Sequence, residues 1–275
     1  MGNKVLVLDI DGTLTNSKKE ITEATKRSIQ DILQRGHQVI LASGRPTYGM
    51  KGCEKALELS TYGGYLLSFN GAKVIDCRSQ EVVYQQILPQ NMVAEMYGFA
   101  KANGCGLMTY QGDRIITAFS PDEYILLDTR VNGMKAELAE DFVEYVNFDV
   151  NKCLLTVDPD KADAYVKQLS GQYGDVISVY RSEPFYIEIM PLNVDKAATL
   201  DKLLPMIGGR REDTICCGDG FNDISMIRYA GLGVAMGNAQ QRVKDAADYI
   251  TDTNDNDGLI RVIEEFILKG ELHEN

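Results

Sequence analysis

Tryptophan is absent from this 275-residue chain, and histidine occurs only twice, at positions 37 and 273. Six cysteines stand apart at 53, 77, 105, 153, 216 and 217, with no Cys-x-x-Cys pair among them. Two imidazoles and dispersed thiols do not assemble a zinc site, so buried or partly buried free thiols in a reducing compartment are expected. No apolar run reaches the roughly 18 residues that a membrane-spanning helix needs. Met1-Gly2-Asn3-Lys4 leads straight into an apolar stretch without a cationic segment and h-region, so no signal peptide is expected. Gly2 is a poor myristoylation start, because Leu6 stands where Ser or Thr is wanted. A cytoplasmic protein is therefore expected. Positive charge is also scarce: 28 Lys and Arg against 40 Asp and Glu give a formal net charge of −12. Such a field repels nucleic acid and anionic membrane, and neither is an expected partner.

What is present resembles an average globular composition, 44% hydrophobic and 25% charged, ample for a core. The length suits one large domain or two ordinary ones. Lys4 to Leu8 reads as a buried parallel strand ending in the polar loop Asp9-Ile10-Asp11-Gly12-Thr13. A helix is expected over Ile21 to Arg35, with Ala24, Ile29, Ile32 and Leu33 on its apolar side and Gly36 as its stop. Gln38 to Ala42 reads as a second strand, Pro46 to Leu59 as a helix and Tyr65 to Phe69 as a third strand before the Asn70-Gly71 turn. This alternation predicts a parallel α/β sheet with crossovers.

The rhythm changes after about Val83. Cys105 to Tyr110 and Arg114 to Phe119, flanking Gln111-Gly112-Asp113, read as an antiparallel hairpin, and short strands and helices follow to about Ile189. The α/β pattern then returns: a helix over Asp195 to Met206, a strand over Thr214 to Cys217, and the loop Gly218-Asp219-Gly220-Phe221-Asn222-Asp223. The expected organisation is a discontinuous α/β core over 1–83 and 190–275 with an inserted α+β domain over 84–189.

Three core strands thus end in polar loops, bearing Asp9 and Asp11, Ser43-Gly44-Arg45, and Asp219 with Asn222 and Asp223. In an open parallel sheet the carboxyl ends of the strands form the ligand crevice. Carboxylates crowded there repel one another unless a cation lies among them, and Mg²⁺ suits hard oxygen ligands. Asp-x-Asp-Gly-Thr by itself is also compatible with a turn that uses Asp for local capping.

Together the motifs resemble the haloacid dehalogenase superfamily, in particular its Cof-type phosphatases with a large, C2B-type cap, along nearly the whole chain and in the family's order. Asp9–Thr13 is similar to the first motif, the stretch around Ser43 to the second, Lys196 to the third and Gly218–Asp223 to the fourth. The resemblance implies a Rossmann-like core with an inserted α+β cap, and a Mg²⁺-dependent phosphatase of small phosphorylated metabolites such as sugar phosphates. It implies Asp9 as nucleophile, forming an aspartyl phosphate, and Asp11 as general acid and then base, for which a raised pKa is expected. It implies metal binding by Asp9, the Asp11 carbonyl and Asp219, with Asp223 as ligand or support. It implies phosphate binding by Ser43, Gly44, Arg45, Lys196 and Asn222. Glu188, eight residues before Lys196, is a candidate to orient that lysine or else a solvated strand residue, and Asn70 is either a conformational turn residue or a supporting one. Where the family favours glycine around the lysine, this chain has Asn193 and Ala197; asparagine tolerates the left-handed backbone such a turn needs.

Two other readings share these residues. A phosphosugar mutase would keep both acids but need a second phosphate grip, for which Arg114, Arg130 and Arg181 are dispersed candidates. A phospho-acceptor switch also combines strand-end acids, a hydroxyl and a lysine around Mg²⁺, but needs no second domain. Neither the physiological substrate nor the oligomeric state is legible.

Overall fold

Val5–Leu8 forms β1, and its four residues go alternately to two apolar clusters, as the two-residue period of a strand requires. Val5 and Val7 pack with Leu200, Leu203 and Leu204, and Leu6 and Leu8 with Ile29, Ile32 and Leu33. Both faces of the strand are covered, so its sequence is apolar throughout. Each such side chain contributes about 1.5–3 kcal/mol by leaving water. The structure, a computed structural model, describes residues 3–269; Gly2 and His273 lie outside the described residues.

The strands that follow are β2 (Gln38–Ala42), β3 (Tyr65–Ser68), β4 (Lys73–Asp76), β5 (Val82–Gln85), β6 (Gly106–Gln111), β7 (Arg114–Thr117), β8 (Lys135–Leu138), β9 (Cys153–Thr156), β10 (Ile177–Glu183), β11 (Tyr186–Pro191), β12 (Thr214–Gly218), β13 (Leu232–Ala235) and β14 (Tyr249–Ile250). They make two sheets, in orders β14-β13-β12-β1-β2-β3-β4-β5 and β10-β11-β9-β6-β7-β8. The first is parallel from β14 to β3 and antiparallel at β3–β4. The second is antiparallel apart from β7–β8. The fold is therefore a mixed α/β one built around a parallel core sheet.

The chain separates into two compact units, Met1–Tyr84 with Asp195–Asn275, and Gln85–Val194. The breaks fall one and five residues later than the 83/84 and 189/190 positions expected from the change in rhythm of strands and helices. At the second, β11 stays paired with β10 through Pro191, so the chain cannot leave that sheet at Ile189. The Pro46–Leu59 helix is also not continuous. A 3₁₀ turn over Tyr48–Met50 leads into a helix over Lys51–Ala56, and Glu58, at φ +56°, breaks it before a short helix over Leu59–Tyr62. The helix over Glu23–Gln34 is capped by Thr22, whose hydroxyl accepts from Thr25 N at 3.1 Å. Thr25 takes the buried place expected for Ala24, which is exposed.

Cys216 and Cys217 illustrate how β12 uses its two faces. One joins the Val5–Val7 cluster, the other the Leu6–Leu8 cluster, and all six cysteines are free. Among the described residues no helix is long and apolar enough to cross a membrane.

Candidate active site

Adjacent parallel strands β12, β1 and β2 deliver three loops to one edge of the core sheet. Asp9 follows β1 directly, and its amide donates to Cys217 O at 3.0 Å, holding the two loops side by side. Gly12 has φ +84°, and a β-carbon there would lie 2.3 Å from Asp219 Oδ2. Only glycine permits both that turn and that approach. Thr13 seals the join by donating its hydroxyl to Asp219 Oδ1 at 3.1 Å.

Lys196 is the first residue of the helix Lys196–Met206, whose N-cap Asp195 accepts from the amides of Ala197 and Ala198. Its ammonium is fully buried and donates to Asp9 Oδ1 at 2.7 Å, Asp223 Oδ1 at 2.6 Å and Ala42 O at 2.6 Å. All three donors of the lysine are thus spent, a requirement for a buried cation. Asp223 is equally committed: its other oxygen accepts from Asp219 N at 3.0 Å and Gly220 N at 2.8 Å. Asn193, at φ +58°, adopts the left-handed conformation expected at that position ahead of the lysine.

The carboxylates of Asp9, Asp219 and Asp223 can bring one oxygen each within 4.8 Å of one another. One ammonium does not balance three such groups. Burial, and then the charge of Asp223, push Asp9 up to about 8 despite Lys196. Burial and Asp223 likewise raise Asp219 to about 6. Desolvation and the like charge of Asp223 thus work against ionisation of Asp9, and the ammonium of Lys196 works for it. Burial alone would lower Lys196, but the charges of Asp223 and Asp9 raise it.

Asp11 stands apart from that cluster. Arg45 holds it with two bonds, Nε to Oδ2 and the terminal nitrogen to Oδ1, each at 2.7 Å, and Lys19 adds a third at 2.8 Å. Burial raises the carboxyl, yet these two cations outweigh it and lower its pKa. The expected upward shift is thereby reversed: the dominant neighbours of Asp11 are cations, not the acids of the loop.

The second loop is organised by its own backbone. Ser43 Oγ accepts from Arg45 N at 3.2 Å, and Arg45 also donates to Gly49 O at 3.2 Å. Gly44 lies against the Asn70 side chain, which a β-carbon would approach to 3.2 Å. Asn222 donates its amide to Asn70 Oδ1 at 3.0 Å, so these two asparagines tie the turn after β3 to the loop after β12. Glu188 does not orient Lys196. Its carboxylate accepts from Tyr180 OH at 3.2 Å and pairs with Lys152 at 3.5 Å, while Lys196 has the partners given above.

Two participants were not legible as such. Lys19 lies in a turn fixed by Asn16, whose side-chain oxygen accepts from the amides of Lys18 and Glu20; Asn-Ser-Lys-Lys carries that turn signal. Asn238, just beyond β13, donates to Gly12 O at 2.9 Å and Asp219 Oδ2 at 3.3 Å. Its position at one more strand end is the signal that could have found it.

Three comparisons agree with this arrangement. The model of the haloacid dehalogenase-like hydrolases, Hydrolase_3, matches residues 6–263. A haloacid dehalogenase-like hydrolase from Bacteroides thetaiotaomicron shares 43% identity and a TM-score of 0.93, over 97% of this chain and 100% of that one. The HAD subclass IIB sugar phosphatase BT4131 shares 26% identity and a TM-score of 0.82, over 96% of this chain and 99% of that one. The 5-amino-6-(5-phospho-D-ribitylamino)uracil phosphatase YitU of Bacillus subtilis is 30% identical over 266 residues, 95% of this chain and 97% of YitU. With Asp9, Asp11, Lys196 and the Asp219–Asp223 loop gathered at the ends of β1 and β12, the chain belongs to the haloacid dehalogenase-like hydrolases, as a phosphatase of their Cof-type branch.

Proposed function

We propose that this chain hydrolyses small phosphorylated metabolites, sugar phosphates or related polyol phosphates, through an aspartyl phosphate on Asp9 with Mg²⁺ as cofactor. The observation that carries the reading is Asp9 itself. One of its oxygens is pinned by Lys196, and the other accepts no hydrogen bond among the described residues. An oxygen of Asp9 forms the bond to phosphorus as the bond from phosphorus to the ester oxygen breaks. Asp11 hands its proton to that departing oxygen. Asp11 then takes a proton from water, the water oxygen bonds to phosphorus, the Asp9–phosphorus link breaks, and inorganic phosphate leaves.

For the first step Asp11 has to leave Arg45 and Lys19 and carry a proton. The two cations are then available to phosphoryl oxygens, together with the Ser43 hydroxyl, the Gly44 backbone and Asn222. Lys196 offsets the repulsion between nucleophile and phosphate, an electrostatic contribution that dominates such transfers.

The residues fit a divalent cation. Three carboxylates share one ammonium, their charge is unbalanced enough to raise two of them, and neither His nor Cys belongs to the group. Asp9, Asp219 and the Asp11 carbonyl would hold Mg²⁺, with Asp223 fixing Lys196 and the loop amides. Mg²⁺ when bound supplies charge neutralisation at the phosphoryl group. We assign catalysis to the core unit and substrate choice to Gln85–Val194. YitU and BT4131 are phosphatases of a ribityl phosphate and of sugars by name, which favours a polyhydroxylated substrate here. Six free thiols suit a reducing compartment, and we place the protein in the cytoplasm.

The test is phosphate release across sugar phosphates, polyol phosphates and nucleotides, with Mg²⁺ and with excess chelator. Multiple turnovers that stop on chelation and resume with Mg²⁺ are expected. Full activity in chelator, or one phosphoryl group retained per chain without turnover, contradicts the reading.

A further inference from the structure

The loop after β13 reaches the acid cluster from a side that the four motifs do not cover. Asn238 meets two acceptors there, Gly12 O at 2.9 Å and Asp219 Oδ2 at 3.3 Å, and donates to both from Nδ2. Its Oδ1 accepts from Asn254 N at 3.0 Å. With acceptors on one side and a donor on the other, only one orientation of the amide satisfies all three. The side chain is exposed, so water is at hand for each of these groups. Three protein partners in place of water mark a residue that holds its neighbours rather than one that fills space.

The loop is itself built to keep that place. Gly237 N donates to Asp252 O at 3.0 Å, and a β-carbon at Gly237 would lie 2.9 Å from Asp252 C and from Thr253 N, closer than side chains come. Lys244 Nζ adds a bond to Gly237 O at 2.7 Å. Asn254 grips the loop after β1 directly: its Nδ2 donates to Thr15 O at 2.8 Å, and Thr15 donates both its amide and its hydroxyl to Ile10 O at 2.9 Å. The segment 252–254 thus holds Asn238 from behind, and Asn238 holds the loops of Asp11 and Asp219, all within one compact unit. Each oxygen of the Asp219 carboxylate receives a hydrogen bond, Oδ1 from Thr13 and Oδ2 from Asn238. Donors on both oxygens restrict rotation of the carboxylate, and the bond to Gly12 O fixes the turn that follows the Asp11 carbonyl.

We infer that Asn238 is a positioning residue for the divalent cation, setting Asp219 and the Asp11 carbonyl in the arrangement that binds it without being a ligand itself. The inference rests on the Mg²⁺ reading given above. Partners that orient a metal ligand in this way are typically worth about 10- to 100-fold in metal affinity. Isothermal titration calorimetry of the full chain with Mg²⁺, without substrate, measures that affinity directly. Asn238→Ala should weaken Mg²⁺ binding about 10- to 100-fold. It should leave the melting temperature in chelator unchanged, because removal of an exposed side chain opens no cavity. The Mg²⁺ concentration that half-saturates hydrolysis of nitrophenyl phosphate should rise by the same factor, while kcat at saturating Mg²⁺ falls by a smaller one. Asn254→Ala, which keeps the backbone amide that donates to Asn238, should cost less affinity than Asn238→Ala. Wild-type Mg²⁺ affinity in Asn238→Ala overturns the inference and leaves the metal reading standing. A loss of affinity accompanied by a lower melting temperature in chelator makes Asn238 a residue of the fold alone and overturns the inference as well. If Asn238→Ala does not fold, Asn238→Leu, close to asparagine in shape, decides by the same measurements. No Mg²⁺ binding by the wild type refutes the metal reading, and the inference with it.

Discussion

Arg45 grips Asp11 side-on, both oxygens of the carboxylate taking a bond of 2.7 Å from the guanidinium. A planar fork matched to a carboxylate is the strongest form of such a pair, and lysine cannot reproduce it. The consequence is a carboxyl held below its ordinary pKa at the position assigned to proton transfer.

Replacing Arg45 with methionine should therefore move the acidic limb of the pH–kcat profile to higher pH. Asp11 serves the second step as a base, and the cation that keeps it ionised in acid is gone. Activity below pH 6 should fall about tenfold or more, and less at pH 8. An acidic limb that stays in place would detach Arg45 from Asp11.

The acid cluster makes stability depend on pH in the opposite sense. Asp9 and Asp219 have folded-state pKa values of about 8 and about 6, above the ordinary 3.8. Between those limits the folded chain binds more protons than the unfolded one, so stability falls as pH rises. Without divalent cations the melting temperature should drop from pH 5 to pH 8. Mg²⁺ should raise it more at pH 8, where the carboxylates are ready to bind. Calorimetry at both pH values, with chelator and with Mg²⁺, checks this; a melting temperature in chelator that rises towards pH 8 contradicts it.

Lys196→Met leaves Asp9 and Asp223 without their cation in a fully buried place. Removing one partner of a buried pair costs about 3–5 kcal/mol, and loss of a positioned electrostatic group costs about 10²–10³ in kcat. Lys196→Arg should not restore activity, because three bonds of 2.6–2.7 Å leave no room for a guanidinium. Chemical denaturation and steady-state kinetics measure the two losses.

Much of the core sheet was legible because strands buried on both faces announce themselves as apolar runs, and because polar loops at their ends have few other reasons to recur. Asp9, Asp219 and Asp223 converge for that reason, whereas Lys196, at the start of a helix, was legible only through the family resemblance. The interruption at Glu58 was not legible, since nothing in the side chain demands a left-handed backbone. The surroundings of Asp11 were misread because Lys19 reaches it from a turn eight residues on, and long-range partners decide a pKa. Glu188 was attached to Lys196 on sequence proximity, whereas β-pairing carries it to Lys152 and Tyr180.

The covalent step on Asp9 is tested most directly by trapping it in Asp11→Asn. With nitrophenyl phosphate the leaving group departs without a proton, so the first step proceeds, while the second lacks its base and slows by about 10²- to 10⁴-fold. Mass spectrometry of the quenched Asp11→Asn protein should find the phosphoryl group on Asp9 and nowhere else, and should find none when Asp9→Asn is added. No phosphorylated species in Asp11→Asn, at a time when nitrophenolate has been released, would contradict an aspartyl phosphate on Asp9.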